Sequence, residues 1–531
     1  MALDFDLTLR GYRCFPIGHE VRFRVSNGLI AFVGPNNAGK SAVLKSFFEL
    51  RPLLRSLLPT DNNFLVVGLG GSVAAPAWPL PVSEPIEPFS NLDHSDIEIE
   101  IQLRVDSPEP TLATRLLVRV SRPPVFQVTT ELEGAAGRLG QPGQEVRQEG
   151  EQIGQGEVSL DGAAIYEVLR ALTRCLYIGP FRNAINVGSQ EDYFDISIGE
   201  AFIAAWRRFK TGPSKEDNEA AVRVTEDIRQ LLSFESLDIN PAEDGRTLQL
   251  FIDGKSFRLP EVGAGLAHFI LVLVNVATKN PTYVLVDEPE LNLHPSLQLS
   301  FLTTLASYGQ AGTLFATHSL GLARSAADDI YSVVPASRGR SDIRPFEGTN
   351  NYAELLGELS FAGYSDLGFD SVLLVEGRTD VKVIQNLLRH HGKDGKVVLL
   401  PLGGEALING VSEQELGELT RLGASLFALI DSERSASGET LSPGRQKFVE
   451  ACEQLGIDCT VLERRATENY FPERALKAAL GPTVRALSEF ETIKESGQTQ
   501  VWSKNQNWRV AREMVIEDLD ETDLGALLER L

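Results

Sequence analysis

The sequence predicts an α/β protein built around two parallel sheets, and three features carry that prediction. A glycine-rich loop, Gly34–Ser41, follows an apolar strand over 29–33 and precedes a helix over 42–50. Tyr283-Val284-Leu285-Val286 is an unbroken apolar run that ends in Asp287-Glu288, the pattern of a strand covered on both faces. From residue 371 onward, short apolar strands alternate with helical segments, which argues for a second parallel sheet.

The elements follow in order. Residues 3–9 alternate like a strand, and a second strand is expected near 21–25. The stretch 51–92, rich in Pro and Gly, reads as an irregular insertion. Residues 97–105 and 114–120 alternate as two antiparallel strands. Residues 134–156, dominated by Gly, Gln and Glu, read as a mobile loop. Residues 219–232 have helical spacing, and Asp253-Gly254 is a hairpin turn between strands over 247–252 and 256–259. A helix over 295–309 and a strand over 312–317 come next, then a seam over 335–357. The second series has strands over 371–375, 396–400, 425–430 and 460–462, with helices over 380–390, 413–422 and 444–455.

At 531 residues the chain has room for two or more domains with their own cores. Its composition, 43% apolar and 23% charged, is that of a soluble globular protein. No secretory leader is expected, because residues 1–10 alternate acidic and apolar positions. No apolar run reaches the length of a membrane span; 269–277 has core-helix length. Cys14, Cys175, Cys452 and Cys459 form no C-x-x-C pair, so free thiols in a reducing cytoplasm are expected, without a metal role. The net charge of −23 argues against a simple nucleic-acid coat. Acidity runs along the chain, with 28 acidic against 19 basic residues from Phe361 onward. Any nucleic acid would be met through a local basic patch or a bound divalent metal.

Gly34-Pro35-Asn36-Asn37-Ala38-Gly39-Lys40-Ser41 matches every fixed position of G-x-x-x-x-G-K-[ST]. Gly34, Asn36, Asn37 and Gly39 form the wrap around phosphate, and the helix start supplies unpaired N–H groups. Lys40 is expected to reach the β/γ-phosphates and Ser41 to hold Mg²⁺, so the predicted ligand is a nucleoside triphosphate. Asp287 would hold the Mg²⁺ through water, and Glu288 would orient or deprotonate the attacking water. His318 stands in Ala316-Thr317-His318-Ser319, and Glu261-Val262-Gly263-Ala264-Gly265-Leu266-Ala267 opens a helix upstream. Together these resemble the head domains of the ATP-binding-cassette (ABC) superfamily, in its SMC and OLD-type branch. Leu9-Arg10-Gly11-Tyr12-Arg13-Cys14-Phe15 and Glu290-Leu291-Asn292-Leu293-His294-Pro295 resemble the same branch. The resemblance implies ATP as ligand, His318 as a γ-phosphate switch, and Gly263 and Gly265 touching nucleotide across a dimer interface. The serine that usually precedes the family's glycines is missing here. No long heptad run separates the two halves, which excludes a coiled-coil arm.

A second constellation lies downstream. Val375-Glu376-Gly377-Arg378-Thr379-Asp380 places carboxylates at a strand end and one helical turn later, and Ile430-Asp431-Ser432-Glu433 ends another strand in two more. Such acids cluster where a hard divalent cation neutralises them, and two Mg²⁺ or Mn²⁺ ions would activate water and stabilise the leaving oxygen of a phosphodiester. These residues, with Leu402-Gly403-Gly404 between them, resemble the TOPRIM fold. That family carries Asp-x-Asp where this chain has Asp431-x-Glu433, which keeps the charge and lengthens the reach. Arg465-Ala466-Thr467-Glu468-Asn469-Tyr470 resembles a stretch of OLD-family nucleases, which implies that Glu468 completes the second metal site. Trp502-Ser503-Lys504-Asn505 resembles the segment where those enzymes carry a lysine near the scissile phosphate, a role that falls on Lys504. Arg464, Arg465 and Arg509 are candidates for substrate phosphates.

An ABC-type ATPase head over 1–350, with inserted helical and β segments, followed by a TOPRIM unit over 365–531 is the order of the OLD family of ATP-dependent endonucleases. That family includes the nuclease subunit of Gabija-type antiphage defence. The resemblance implies a cytoplasmic homodimer or higher oligomer, with residues 194–232 as the dimerisation insert and a partner defence subunit. It implies an ATP-regulated, Mg²⁺- or Mn²⁺-dependent DNA endonuclease in defence or DNA processing. Two alternatives stay open: a ribonuclease acting on structured RNA, and an ATP-switched sensor or scaffold with weak nuclease activity. The sign of ATP control is open as well, since nucleotide need only favour one of two geometries.

Overall fold

A computed structural model describes residues 4–531 except 36, 60–62, 75–83, 107, 124–125, 180–191, 292, 294, 337–338, 347–370, 395 and 403–424. Asn36, Asn292, His294, the Gly403-Gly404 pair and the helix expected over 413–422 therefore lie outside the described residues. So does most of the seam.

The larger parallel sheet has six strands in the order Leu176–Ile178, Tyr283–Asp287, Gly312–Thr317, Gly28–Val33, Asp329–Pro335 and Ser341–Pro345. The first five run parallel and the last is antiparallel. Side chains alternate between faces, as a strand requires. Leu29, Ala31, Val284, Val286 and Phe315 join one core, while Ile30, Phe32, Tyr283, Leu285 and Leu314 join another. Both faces are thus covered, which explains the unbroken apolar runs. Asp287 stands beside Ala316, Ala316 beside Phe32, and Thr317 beside Val33. The residues that follow these three strands consequently gather at one carboxyl edge.

The second sheet is fully parallel, in the order Val397–Pro401, Ser371–Val375, Ser425–Ile430 and Asp458–Val461. Leu373, Val375 and Leu429 point into the core that also holds Leu29 and Val284, so one apolar cluster runs unbroken between the two sheets. Val372, Leu374, Ala428 and Ile430 face a separate cluster beneath the helix Pro443–Leu455.

An antiparallel sheet carries Phe5–Arg10, Val21–Val25, Ile97–Leu103, Ala113–Val120 and Gln127–Gly134. The expected hairpin forms between Leu248–Ile252 and Lys255–Arg258, with Asp253 at φ 49° and Gly254 at φ 75°. Two left-handed residues in a two-residue turn match the twist of the flanking strands. The 194–232 segment holds two helices, Gly199–Thr211 and Lys215–Leu231, whose Trp206, Val224 and Ile228 are buried against the larger sheet's core.

Two expectations are corrected. The stretch 51–92 contains helices Arg51–Ser56 and Phe64–Gly70, because Leu53, Leu54, Leu57, Leu65 and Leu69 supply a buried apolar face. Pro52 is no obstacle in the first turn, where its missing N–H has no helical partner to lose. Residues 134–156 are not a loop but carry the strands Gly137–Leu139, Val146–Glu149 and Gln152–Gln155. Polarity misled the sequence reading. Gln155 is buried, and its amide accepts from Gly140 N (2.7 Å) and Gln141 N (3.0 Å) and donates to Gln141 O (2.8 Å). Such side-chain-to-backbone bonds replace the apolar packing that the pattern lacked.

Candidate functional site

At the carboxyl edge of the larger sheet, the strand Gly28–Val33 runs into the phosphate loop and Gly39 precedes the helix Lys40–Glu49 at φ 99°. A Cβ at Gly39 would stand 2.8 Å from Cys14 Sγ, so the loop demands glycine by both conformation and space. Lys40 is buried and bends back over the loop, donating to Gly34 O (2.7 Å) and Pro35 O (2.9 Å). Burial lowers its pKa, against the opposing pull of Asp287, Glu288 and Glu290.

Asp287 is buried at the end of its strand. Burial raises its pKa, partly offset by a hydrogen bond from Ser41. Tyr177 OH donates to its Oδ2 at 3.3 Å, while its Oδ1 is buried with no hydrogen-bond partner among the described residues. A buried carboxylate with an orphaned oxygen, bonded to the phosphate-loop serine, fits a divalent cation. Ser41 and Asp287 would hold that ion.

His318 bridges the edge. Its Nε2 lies 3.1 Å from Glu288 Oε1, and its Nδ1 lies 3.1 Å from Gly34 O and 3.3 Å from Lys40 Nζ. Glu288 adopts φ 56°, a left-handed geometry uncommon for glutamate. Gly263 caps the helix Ala264–Lys279, is exposed, and has nothing among the described residues within 4 Å of where a Cβ would stand; Gly265 lies in the first turn. The loop, Asp287, Glu288 and His318 are thus together, and Asn37 lies in the loop at φ 61°.

Two participants escaped the sequence reading. Glu290 Oε1 accepts from Thr317 OH and His318 N, both at 2.8 Å, and so fixes the backbone that carries His318. Its signal was its place just after Asp287-Glu288-Pro289. Tyr177 had no signal beyond the apolar run 175–178.

The second site lies at the carboxyl edge of the smaller sheet. Asp431 N donates to Glu376 Oε2 at 3.2 Å, which joins two adjacent strand ends directly. Thr467 N and OH approach Asp431 Oδ1 at 3.2 and 3.4 Å. Asp380, in the first turn of the helix Arg378–His390, accepts from Gly377 N at 2.9 Å. Glu468 is buried, with Lys504 Nζ 3.2 Å from one oxygen and Asn507 Nδ2 3.4 Å from the other. The unforeseen member is Arg445, nearly fully buried, which donates to Glu376 Oε1 (2.7 Å) and Asp431 O (2.9 Å). Glu433 is held by Arg465 in an ion pair. Arg464 donates to Asn469 O and stacks on Tyr470, and Arg509 stacks on Trp508.

Burial pushes Asp380 up to about 7, with Lys504 pulling down and Glu468 pushing up. Burial, then Asp380 and Glu468, raises Asp431 well above the carboxylate range. Burial also raises Glu376, although Arg445 lowers it. This is a cluster short of positive charge, and its donor chemistry suits a hard cation. Its geometry is not a ready cage: among the described residues no group of three or more His, Cys, Asp or Glu side chains is arranged to hold a metal ion.

The charge deficit has a measurable consequence. Acids with raised folded-state pKa values bind protons more tightly folded than unfolded, so the stability these groups contribute in the metal-free protein is full below about pH 4 and is lost as pH rises through about 7. Asp431→Asn is expected to raise the melting temperature on the alkaline side and to flatten that fall. A melting temperature lowered equally across the whole range would count against mutual repulsion.

A cavity of about 340 Å³ lies at the amino edge of the larger sheet, lined there by Asn27, Gly28 and Asp328 and on its other side by Ser503, Asn505 and Arg509, beside Lys504.

A phosphate loop, a buried aspartate on the strand two places away, a glutamate beside it and a histidine at the neighbouring strand end define an ATPase domain. Residues 165–324 match the family described as "AAA domain, putative AbiEii toxin, Type IV TA system". The stretch includes Tyr177, Asp287, Glu288, Glu290 and His318, and the chain carries an ATPase domain. A search of curated proteins finds no match. Among solved structures, the chain is similar to the SMC head domain from Thermotoga maritima (16% identity, 66% of this chain and 100% of that one, TM-score 0.34). It is also similar to an Smc head bound to the C-terminal domain of ScpA derived from Pyrococcus furiosus (12%, 68% and 100%, 0.35). A third is an SmcHead bound to the C-winged helix domain of ScpA (13%, 65% and 98%, 0.36). Likeness at this level says nothing of activity or partners. No described helix is long and apolar enough to cross a membrane.

Proposed function

We propose that the chain is an ATP-regulated, divalent-metal-dependent DNA endonuclease of the OLD type, with an ABC-type head over 1–350 and a TOPRIM unit over 365–531. One observation carries the reading. The same chain holds a phosphate loop with Asp287, Glu288 and His318 beside it and, at the edge of a second parallel sheet, Glu376, Asp380, Asp431 and Glu468 with Lys504 against Glu468. Glu376, Asp380, Asp431, Glu468 and, once released from Arg465, Glu433 would hold Mg²⁺ or Mn²⁺. Such ions supply an activated water and Lewis-acid stabilisation of the leaving oxygen. The chain's own residues position the rest. Arg445 sets the Glu376 carboxylate, Thr467 sets Asp431, and Lys504 offsets charge developing on the scissile phosphate.

On the ATPase side, Lys40 leaves the Gly34 and Pro35 carbonyls for the phosphates of ATP, and Glu288 orients the attacking water. His318 contacts Lys40, Gly34 and Glu288 at once, so an arriving γ-phosphate alters all three contacts. Exposed Gly263, with Gly265, would meet nucleotide across a homodimer, with 194–232 contributing to dimerisation and a defence partner subunit completing the assembly. DNA is the substrate and the cytoplasm the compartment in this reading.

A second reading, an ATP-switched sensor or scaffold, is favoured by one observation: Glu376, Glu433 and Glu468 are already paired with Arg445, Arg465 and Lys504. The toxin description of the matched family is compatible with either reading.

Supercoiled plasmid incubated with the protein and Mg²⁺ or Mn²⁺, with and without ATP, separates them. Nicking or linearisation that disappears in Asp431→Ala is the expected result, and the ATP lanes give the sign of control. Cleavage of structured RNA alone would reassign the substrate. No cleavage of either, with nucleotide-dependent partner binding intact in Asp431→Ala, would establish the scaffold.

A further inference from the structure

We propose that the cavity at the amino edge of the larger sheet is a second nucleotide site, which takes a nucleoside monophosphate or one nucleotide of a strand with its phosphate on Arg509. At about 340 Å³ the cavity has the size of a small-molecule pocket. One wall is made by residues that open three neighbouring strands: Gly28, Gly312 and Asp329. The phosphate loop follows the far end of the first of these, a strand of six residues, and so lies about 17–20 Å away. The two sites are therefore separate. The opposite wall is the segment that leads into the helix Asn507–Arg512.

Arg509 decides the class of ligand. It is half-buried, its guanidinium lies 5.4 Å from the centre of the Trp508 ring, and it has neither a hydrogen bond nor an ion pair among the described residues. Its charged neighbour Arg512 is another cation, which donates to Asp227 at 2.6 Å. Two carboxylates of the same cavity are already matched: Asp4 accepts from Arg24 Nε and NH2 at 2.8 and 2.7 Å, and Asp328 is paired with Lys382. A partly enclosed guanidinium without a counter-ion calls for an anion, and its fork of donors suits phosphate oxygens. The rest of the lining fits more than a bare phosphate. The side-chain amides of Asn27, Gln500 and Asn505 make no hydrogen bond among the described residues, and Asp329 accepts a long one (3.4 Å) from Ser26. These groups offer donors and acceptors to the edge of a nucleobase, whose amino group suits Asp329. Trp502 and Trp508 add aromatic surface of the kind on which bases stack. Lys504, between the lining residues Ser503 and Asn505, reaches Glu468 instead. The inference does not depend on the nuclease reading.

The full-length chain, unaltered and as Lys40→Met, should be treated with the arginine reagent phenylglyoxal and peptide-mapped. The probes are each nucleoside 5′-monophosphate, a short mixed-sequence single strand, and inorganic phosphate. A monophosphate is expected to slow modification of Arg509 by at least roughly tenfold in both proteins, with exposed Arg174 as reactive as before. Protection by the single strand alone would support the site equally and assign its ligand to a strand. Arg509→Ala is expected to weaken monophosphate binding to the Lys40→Met chain by at least roughly tenfold. Undiminished modification of Arg509 with every probe would overturn the inference. So would protection that requires Lys40, which would place the ligand in the phosphate loop. Equal protection by inorganic phosphate would overturn it too, since the cavity would then be a bare anion site.

Discussion

Lys40→Met is expected to weaken ATP binding by roughly 30- to 1000-fold, the equivalent of about 2–4 kcal/mol, while leaving the chain folded. Lys40 has no direct ion-pair partner among the described residues; its ammonium rests on the Gly34 and Pro35 carbonyls and near His318. In the free protein those contacts hold a cation that burial disfavours, as its lowered pKa shows. Phosphate oxygens supply the missing charge, so most of the worth of Lys40 is realised only with nucleotide bound. Methionine keeps the length and packing of the stem. Titration with a fluorescent ATP analogue measures the loss, and the melting temperature without nucleotide checks the fold. Equal affinity in the two proteins would remove Lys40 from the phosphate site.

Lys382→Met should be the most damaging single change at the junction of the two sheets, costing about 3–5 kcal/mol. Lys382 is completely buried in the helix Arg378–His390 and lies 2.5 Å from Asp328 Oδ1. Asp328 Oδ2 accepts from Leu29 N at 2.9 Å, and Asp328 N donates to Leu29 O at 2.7 Å. The fit is tight: a Cβ at Gly28, where φ is 121°, would stand 2.3 Å from Asp328 Oδ2. Removing the ammonium leaves a buried carboxylate with backbone donors but no ion-pair partner among the described residues, which is the costly half of breaking such a pair. The double variant Lys382→Met, Asp328→Asn is therefore expected to recover a substantial part of the loss in a urea unfolding series. If the double variant is as unstable as the sum of the two single changes, the pair contributes packing and not charge. The pair ties the strand that enters the phosphate loop to the helix that begins beside Asp380, so these variants also report whether the two sites share a rigid connection.

Much of this architecture was legible residue by residue. The phosphate loop, the strand ending at Asp287 and the strand carrying residues 371–375 were all found within a residue or two of their places, because each combines a short motif with an apolar run. The hairpin at Asp253-Gly254 followed from turn chemistry alone. The failures share one cause. Residues 134–156 were read as a loop because strands packed through Gln155 do not show apolar alternation. The helices at 51–56 and 64–70 were hidden among prolines and glycines whose effect is local, while the leucines between them find their partners only in the folded chain.

The candidate sites divide along the same line. The sequence by itself determined which acids end which strands, and that Lys40, Asp287, Glu288 and His318 belong to one class of chemistry. These are properties of segments a few residues long, set by periodicity and by the needs of a phosphate-binding turn. Only the tertiary structure decided the company those residues keep. Tyr177 reaches Asp287 across a sequence separation of 110, Arg445 reaches Glu376 across 69, and Arg465 takes Glu433 across 32. No periodicity encodes such pairings. They follow from parallel register, which aligns strand ends far apart in the chain, and from burial, which compels each enclosed charge to find a partner.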